Sequence, residues 1–179
     1  MGQYYRPVIK ENDKIMVYNR RINGEYTMAK LMEHSYLSSY LMMTIADKMY
    51  KNKIQLLWCG DYAENDEIEK TGLTISDIWD DDGNCLSLKE FNYQDKYFCN
   101  HTKKEYVDFN KYIEKANNDG WIISPISLLT AIGNGRGGGD YHDNYINADK
   151  VGSWFWDEIS IEDEKPIDYI ENEVYFIEQ

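Results

Sequence analysis

A glycine-rich segment in the last third of the chain has the residue types of an anion-binding site. Residues 133–140, which we call the glycine loop, contain five of the 12 glycines, with Arg136 in their midst. Glycine lets a backbone turn through positive φ or approach a ligand closely, and successive N–H groups together with an arginine can then bind phosphate or carboxylate. We therefore predict an anion-binding site made of Gly133, Asn134, Gly135, Arg136, Gly137, Gly138, Gly139 and Asp140. A tight connection with Arg136 in solvent is the alternative that the sequence leaves open.

The spacing of these glycines also fits the pattern G-x-G-x-x-G, but its context does not fit a nucleotide fold. A dinucleotide-binding fold needs a helix directly after the glycines, whereas residues 141–145 have the composition of a loop. A Walker-type phosphate loop needs Lys-Ser or Lys-Thr after the glycines, and neither follows them here. The segment therefore predicts backbone contacts to an anion, and no cofactor is expected.

Three histidines, His34, His101 and His142, lie among polar neighbours. If the fold brings them together with Asp61 or Asp140, such a group can bind a divalent metal or act as acid and base near neutral pH. His34 is expected near the start of a helix, where a structural role is the more common one. Sequence alone gives no metal site, and it gives no nucleophile because no G-x-S-x-G segment is present.

The charge of the chain limits its partners. Its 179 residues include 32 Asp and Glu against 19 Lys and Arg, a formal charge of −13. This sign disfavours direct binding to nucleic acid or to an anionic membrane, and no apolar run approaches the roughly 20 residues of a membrane span. A charge of this size usually serves as a solubilising surface, and the alternative is that it speeds encounter with a basic surface on another protein. The 16 Tyr and 5 Trp supply contact area for a sheet core or a binding surface.

The three cysteines, Cys59, Cys85 and Cys99, indicate neither a disulfide framework nor a zinc site. Their number is odd, and they have no C-x-x-C spacing. The chain also opens without an apolar signal segment. We therefore expect reduced thiols and a cytoplasmic location in the host cell.

Hydrophobic periodicity predicts one long helix. From Ala29 to Tyr50 apolar residues recur every three or four positions, which is typical of a helix that packs on a sheet. With Ser35 as its N-cap, this helix is expected to run to about Asn52. Shorter helical segments are expected at 74–79 and 110–117.

The strand signals are short and spread along the chain. Residues 4–10 and 14–19 favour a β-hairpin, and the apolar run 53–60 predicts a central strand. Further strands are expected at 85–88, 96–100, 121–132, 154–161 and 174–177, with tight turns at 23–24 and 118–120. Together the elements predict a single domain, residues 1–179, of α+β class, with a mostly antiparallel sheet of about six to eight short strands and one long helix packed on it.

Five segments carry a resemblance that covers nearly the whole chain. They are M-G-Q-Y-Y at 1–5, L-M-E-H-S-Y at 31–36, W-C-G-D-Y-A at 58–63, N-H-T-K-K-E-Y-V-D at 100–108 and G-N-G-R-G-G-G-D-Y at 133–141. As a set they resemble a family of small uncharacterised proteins from bacteriophages and mobile elements of gut Firmicutes. The resemblance implies an intracellular protein made during infection or carried by an integrated element, and it assigns no catalytic role. Cys59 departs from the small apolar residue expected there, which argues against a shared catalytic cysteine.

Three hypotheses about function follow. Small phage proteins often inhibit host defences, including CRISPR nucleases and cyclic-nucleotide signalling, so the first is a non-enzymatic protein that binds and blocks a host defence factor. The second is a sponge or receptor for a small phosphorylated nucleotide held by the glycine loop. The third is a metal-assisted phosphodiesterase that uses His34, His101, His142, Asp61 and Asp140. Convergence of those side chains favours a ligand or catalysis, and dispersal favours a protein-binding surface.

Overall fold

The N-terminal hairpin forms where the residue pattern predicts it. The computed structural model describes residues 1–18, 21–22, 25–26, 29–116 and 121–177. Strands β1 (Tyr5–Glu11) and β2 (Lys14–Val17) pair antiparallel. Asn12 and Asp13 turn between them with φ of 49° and 62°, a left-handed conformation that both residue types tolerate and that a two-residue hairpin requires.

The predicted central strand is confirmed. Strands β3 (Arg21–Ile22) and β4 (Glu25–Tyr26) form a separate two-stranded sheet. The next strand along the chain, β5 (Ile54–Gly60), pairs antiparallel with β1. All of β5 is buried except for the half-buried Gln55. A strand covered on both faces has a nearly continuous apolar sequence, and this is the signal that predicted it.

Within the described residues the main sheet has eight strands and is mostly antiparallel, as predicted for an α+β fold. Its remaining strands are β6 (Tyr97–Asn100), β7 (Glu105–Asp108), β8 (Ala131–Ile132), β9 (Glu158–Glu162) and β10 (Ile170–Glu171). The order across the sheet is β10-β7-β6-β9-β5-β1-β2, and β8 joins β5 beside this path. The pairs β8 with β5 and β10 with β7 are parallel.

Helices cover both faces of the sheet. They are α1 (Tyr40–Met49), α2 (Ile75–Trp79), α3 (Phe109–Ala116), α4 (Pro125–Thr130) and the 3₁₀ helices Asn65–Thr71 and Ala148–Lys150. Alternate residues of β5 separate the two faces. On one face, Leu56 belongs to the larger apolar cluster, which includes residues of α1, α3 and α4. On the other face, Leu57 belongs to a smaller cluster, which includes Ile68 and, from α2, Ile78.

The prediction of one long helix is wrong, because α1 has only ten residues. Its N-cap is Ser39, whose hydroxyl accepts a hydrogen bond from the N–H of Met42 at 3.3 Å. The hydroxyl of Ser35 instead donates to the carbonyl of Lys30. Residues 31–34 and 37–38 form turns, and Tyr36 between them makes an isolated bridge to Ile123, so the apolar spacing before α1 belongs to an irregular segment.

Most of residues 121–132 do not form the predicted strand: Pro125–Thr130 is the helix α4, and only Ala131–Ile132 at the end is a strand, β8. Pro125 begins α4, and the hydroxyl of Ser124 accepts from the N–H of Ile126 at 3.2 Å. Proline suits the first turn of a helix because its missing N–H has no helical partner there. Every residue of α4 is buried, and a helix buried on all sides lacks the periodicity that separates it from a strand.

The remaining predictions have mixed outcomes. Helices at 74–79 and 110–117 are confirmed by α2 and α3, and the strand at 96–100 is confirmed by β6. Only the end of 154–161 is a strand, and 85–88 and 174–177 are not strands. The turns at 23–24 and 118–120 lie outside the described residues. Over the part of the chain that is described, no helix has the length and apolar character to cross a membrane.

Candidate functional site

The backbone of the glycine loop surrounds an anion, and this anion belongs to the protein itself. Oδ2 of Asp140 accepts hydrogen bonds from the N–H groups of Gly135, Arg136 and Gly137 at 2.8, 2.8 and 2.9 Å. Oδ1 accepts a fourth hydrogen bond from the hydroxyl of Tyr5 at 2.8 Å. Asp140 is 1% exposed. The predicted cluster of N–H groups is therefore present, and Asp140 occupies it.

The shape of the loop depends on three glycines and one asparagine. Gly133, Gly135 and Gly139 have φ of 100°, 92° and 86°, values that strongly favour glycine. The side-chain amide of Asn134 donates to the carbonyl of Tyr141 at 2.9 Å and accepts from its N–H at 2.8 Å. This pair of hydrogen bonds closes the loop and holds Asp140 against the N–H groups.

Arg136 is also satisfied within the protein. Its guanidinium donates two hydrogen bonds to Glu67, Nη1 to Oε2 at 2.6 Å and Nη2 to Oε1 at 2.7 Å, and Nη1 donates to the carbonyl of Tyr62 at 2.7 Å. The hydrogen bond to Glu67 raises the pKa of Arg136. Burial tends to raise the pKa of Glu67 and the hydrogen bond from Arg136 tends to lower it. The net result is a lowered pKa for that carboxyl. Sequence reasoning missed Glu67 because 69 positions separate it from Arg136.

The N-terminal residues pack directly on the glycine loop. The N–H of Gln3 donates to the carbonyl of Gly138 at 3.1 Å, and the N–H of Gly138 donates to the carbonyl of Met1 at 3.0 Å. A Cβ added at Gly137 would overlap the Cβ of Gln3 and lie 2.7 Å from its backbone nitrogen. Glycine at 137 therefore allows two backbone segments to approach each other.

The side chain of Gln3 lies in a slot that two further glycines leave open. A Cβ at Gly60 would overlap the amide nitrogen of Gln3, and one at Gly133 would lie 2.7 Å from it. Gln3 is fully buried, and among the described residues neither atom of its amide has a hydrogen-bond partner. An amide buried in this way costs about 1–3 kcal/mol, so the surrounding contacts must offset that cost.

Four of the five segments that carry the resemblance meet at this loop. Besides the N-terminal residues, Met32 donates its N–H to the carbonyl of Gly139 at 2.9 Å, and a Cβ at Gly133 would lie 3.2 Å from the Cβ of Ala63. The fifth segment, 100–108, runs along β6 and β7. Four of these segments therefore meet around Asp140, and the fifth lies elsewhere in the sheet.

The structure disperses the predicted histidines. His34 is exposed, and its Nδ1 accepts from the N–H of Lys30 at 3.2 Å. His142 is also exposed, with its ring centroid 5.2 Å from that of Tyr145. His101 follows β6, and its ring nitrogens lie next to Ser160 and Tyr169. Across residues 1–18, 29–116 and 121–177, no three His, Cys, Asp or Glu side chains are grouped so that they could hold a metal ion, so the convergence needed for a metal-assisted phosphodiesterase is absent there.

Asp61, which follows β5, lies close enough to Asp140 to feel its charge. Its Oδ1 accepts from the N–H of Tyr4 at 3.2 Å. Burial, and more weakly the charge of Asp140, raises the pKa of Asp61. The hydroxyl of Tyr5, which donates to Asp140, also has a raised pKa, because of burial and then of the Asp140 charge. These groups support the glycine loop from β1 and from the end of β5.

His101 connects the sheet to a later loop through two hydrogen bonds. Its Nε2 lies 2.7 Å from the Oγ of Ser160, and its Nδ1 lies 2.7 Å from the hydroxyl of Tyr169. The hydroxyl of Ser160 donates to Glu162 at 2.7 Å, so Nε2 of His101 donates to Ser160 and Nδ1 accepts from Tyr169. The neutral imidazole satisfies this arrangement.

Acidification is expected to destabilise the protein through His101. Burial, and then the positive charge of Lys53, lowers the pKa of this histidine, whereas an unfolded histidine has a pKa of ~6.5. As the pH falls below that value, the unfolded chain binds the proton first, and stability is lost until the folded histidine is also protonated. Urea unfolding at pH 7.5 and 5.5 should therefore show a larger loss for the wild type than for His101→Gln. The exposed His142→Gln serves as the control and should keep the wild-type loss; equal losses in all three proteins would contradict the prediction.

An apolar groove of about 550 Å³, which we call the α1–α3 groove, has none of the predicted site residues in its lining. Its apolar lining comes from four separate parts of the chain: Leu37, Met43, Phe91, Tyr93, Ile113 and Ile122. Next to Ile122 along the chain, Trp121 is 67% exposed, and its ring lies 4.9 Å from that of Tyr36. Tyr40, at the start of α1, is 54% exposed. Sequence reasoning missed this groove because no local pattern joins its residues.

No protein family, curated protein or solved structure matches the chain, so comparison with known proteins assigns no role to the glycine loop or to the α1–α3 groove.

Proposed function

We propose that the protein is a non-enzymatic binding protein of phage or mobile-element origin that docks on a host defence factor in the host cytoplasm and inhibits it. The observation that carries this proposal is the α1–α3 groove with its exposed aromatic neighbours on a chain of charge −13. The resemblance of the five segments supports the phage or mobile-element origin. The partner is a host protein with a basic surface.

The surface chemistry near the groove favours a protein partner. Large exposed aromatic side chains are enriched in protein interfaces, and Trp121 and Tyr40 present such side chains beside an apolar depression. Contiguous apolar surface of this kind marks interaction sites in soluble proteins. The excess of carboxylates speeds encounter with a positively charged partner, as on nucleases that handle nucleic acid.

The hypothesis of a phosphorylated ligand at the glycine loop has less support. A phosphate would have to displace Asp140 from three N–H groups and from Tyr5, and it would have to displace Glu67 from Arg136. Both carboxylates already make charge-assisted hydrogen bonds, which are among the stronger ones in proteins. This hypothesis stays a prediction, and we interpret the loop as internal support for the fold.

The proposal is tested by expressing the protein in bacterial strains that each carry one defence system, CRISPR nucleases and cyclic-nucleotide signalling systems among them. Restored plating of a restricted phage in one strain, together with copurification of a component of that system, is the expected result. A strain without the system and an empty vector are the controls. Failure to restore plating in any strain, or turnover of nucleotides by the purified protein, would overturn the proposal.

A further inference from the structure

The glycine loop contains the pair Asn134–Gly135, in which a side-chain amide and the next backbone nitrogen can react with each other. Once hydroxide has taken its proton, the nitrogen of Gly135 attacks Cγ of Asn134 and closes a succinimide ring. The bond from Cγ to Nδ2 breaks, and Nδ2 takes a proton from water and leaves as ammonia. Water then opens the ring at either carbonyl and gives aspartate or isoaspartate. Glycine favours this attack because it has no side chain to hinder its nitrogen.

The folded loop holds the amide of Asn134 at both of its ends. Nδ2 donates to the carbonyl of Tyr141 at 2.9 Å, and Oδ1 accepts from the N–H of Tyr141 at 2.8 Å. The attack makes Cγ tetrahedral and moves the amide towards the nitrogen of Gly135. Both hydrogen bonds must therefore weaken or break before the ring can close.

The attacking nitrogen is held as well. The N–H of Gly135 donates to Oδ2 of Asp140 at 2.8 Å, and this is the proton that the nitrogen must lose. A negative charge that develops on the nitrogen would lie beside a buried carboxylate, which disfavours it. The folded loop therefore opposes the loss of the proton and the movement of the amide.

Solvent can reach the site, so the hydrogen bonds limit the reaction. Gly135 is exposed and Asn134 is half-buried, whereas Asp140 and Tyr141, which hold them, are 1% and 0% exposed. Water and hydroxide reach the loop without unfolding of the core. The reaction requires only that residues 134 and 135 separate from Tyr141 and Asp140.

We propose that Asn134 is a site of spontaneous deamidation and that local opening of the glycine loop sets the rate of this modification. Local opening is fast compared with slow covalent chemistry, so the rate follows the fraction of molecules with an open loop. The inference does not depend on the proposed function, because it concerns the loop and the proposed function concerns the α1–α3 groove.

The modification is a one-way change that loosens the loop. Aspartate at position 134 has no N–H to donate to the carbonyl of Tyr141, and it brings a second negative charge towards Asp140. Isoaspartate adds a carbon to the main chain and shifts the N–H groups that hold Asp140. Neither product restores the hydrogen bonds of the asparagine, so a modified molecule keeps a weakened support for its N-terminal residues.

The first test compares the folded protein, the protein unfolded in urea and a synthetic peptide of residues 131–143, all at pH 8 and 37 °C. Mass spectrometry follows the replacement of NH₂ by OH, and fragmentation locates it, since the chain has a second Asn-Gly pair at Asn23–Gly24, outside the described residues. Asn134 of the folded protein should react at least about a hundredfold more slowly than the peptide, which corresponds to ~2.8 kcal/mol. The unfolded protein should match the peptide.

Three results of this comparison would overturn the inference. Equal rates in the folded protein and the peptide would mean that the loop does not restrain the reaction. A faster reaction in the folded protein would mean that Asp140 acts as a base. No reaction at Asn134 in the unfolded protein would mean that the pair is not a modification site.

A pair of variants distinguishes local opening from unfolding of the whole protein. Tyr5→Phe removes the hydroxyl that donates to Oδ1 of Asp140, and it should accelerate the modification of Asn134 about tenfold. Ile161→Val, a fully buried position of β9, should lower global stability by a similar amount and leave the rate near that of the wild type. Equal acceleration by both variants would show that global unfolding controls the reaction and would contradict local opening.

Asn134→Asp imitates one product directly. Its thermal unfolding midpoint should fall by roughly 4–8 °C, because the carbonyl of Tyr141 loses its donor. Asn144→Asp makes the same change of charge at an exposed position and should keep the wild-type midpoint. Equal midpoints for the two variants would show that the loop tolerates the product and would refute the loosening.

Discussion

Asp140→Asn is expected to lower the free energy of unfolding by about 3 kcal/mol or more. The carboxylate is almost fully buried and accepts four hydrogen bonds, three of them on a single oxygen. Asparagine has one acceptor oxygen, and its NH₂ group would face N–H or O–H donors. Buried donors would therefore lose their partner, and this loss costs more than the net contribution of a hydrogen bond. Urea unfolding should show a midpoint lower by roughly 1.5 M.

The matched control for this variant is Asp143→Asn, three positions along the chain. Asp143 is exposed, and a surface substitution of this kind usually changes stability by no more than about 0.5 kcal/mol. Both variants remove one negative charge, so a difference between them reports the local contacts of Asp140. Equal midpoints for the two variants would mean that the glycine loop does not depend on its internal carboxylate.

Gly137→Ala is expected to destabilise the protein by about 2–3 kcal/mol, whereas Gly138→Ala should be nearly neutral. At Gly137 the new methyl group would overlap the Cβ of Gln3 and approach its backbone nitrogen to 2.7 Å. At Gly138 the nearest atom would lie 3.6 Å away, which is ordinary contact. Neither glycine has a positive φ, so the comparison isolates the effect of space from that of backbone conformation.

Thermal unfolding measures this difference directly. At 2–4 °C for each kcal/mol in a chain of this size, the midpoint of Gly137→Ala should fall by roughly 4–12 °C, while that of Gly138→Ala should stay near the wild-type value. A slight rise for Gly138→Ala is also consistent, because alanine restricts the unfolded chain more than glycine does. Two equal midpoints would show that the N-terminal residues can move aside without cost.

Sequence patterns predicted those elements whose signal is local. The hairpin of β1 and β2 has turn residues between two strand-forming runs, and β5 is a buried apolar run of strand length. The helix before Asn52 was predicted too long, because the apolar spacing before α1 belongs to a segment of turns in which Tyr36 makes an isolated bridge to Ile123. The segment that contains α4 was predicted as a strand, because a helix buried on all sides has no polar face to reveal its period.

The glycine loop shows where reasoning from composition stops. The residue types predicted N–H groups that bind the anion of a ligand, whereas in the structure these N–H groups bind a carboxylate of the protein itself, and composition cannot say which carboxylate or phosphate fills them. Asp140 was predicted to contact a bound ligand, whereas in the structure its own carboxylate accepts the hydrogen bonds of the loop. The α1–α3 groove was out of reach because Leu37, Tyr93 and Ile122 become neighbours only in the folded chain.

The hydrogen bond between Tyr5 and Asp140 joins residues 135 positions apart, and this separation affects the order of events during synthesis. On the ribosome, β1 can pair with β2 as soon as the hairpin emerges, and with β5 somewhat later. Asp140 emerges only after most of the chain, and contacts between such distant residues form slowly because a long loop must close first. The nascent protein therefore keeps its first strand incompletely covered for most of translation, the period in which chaperones protect exposed apolar surface.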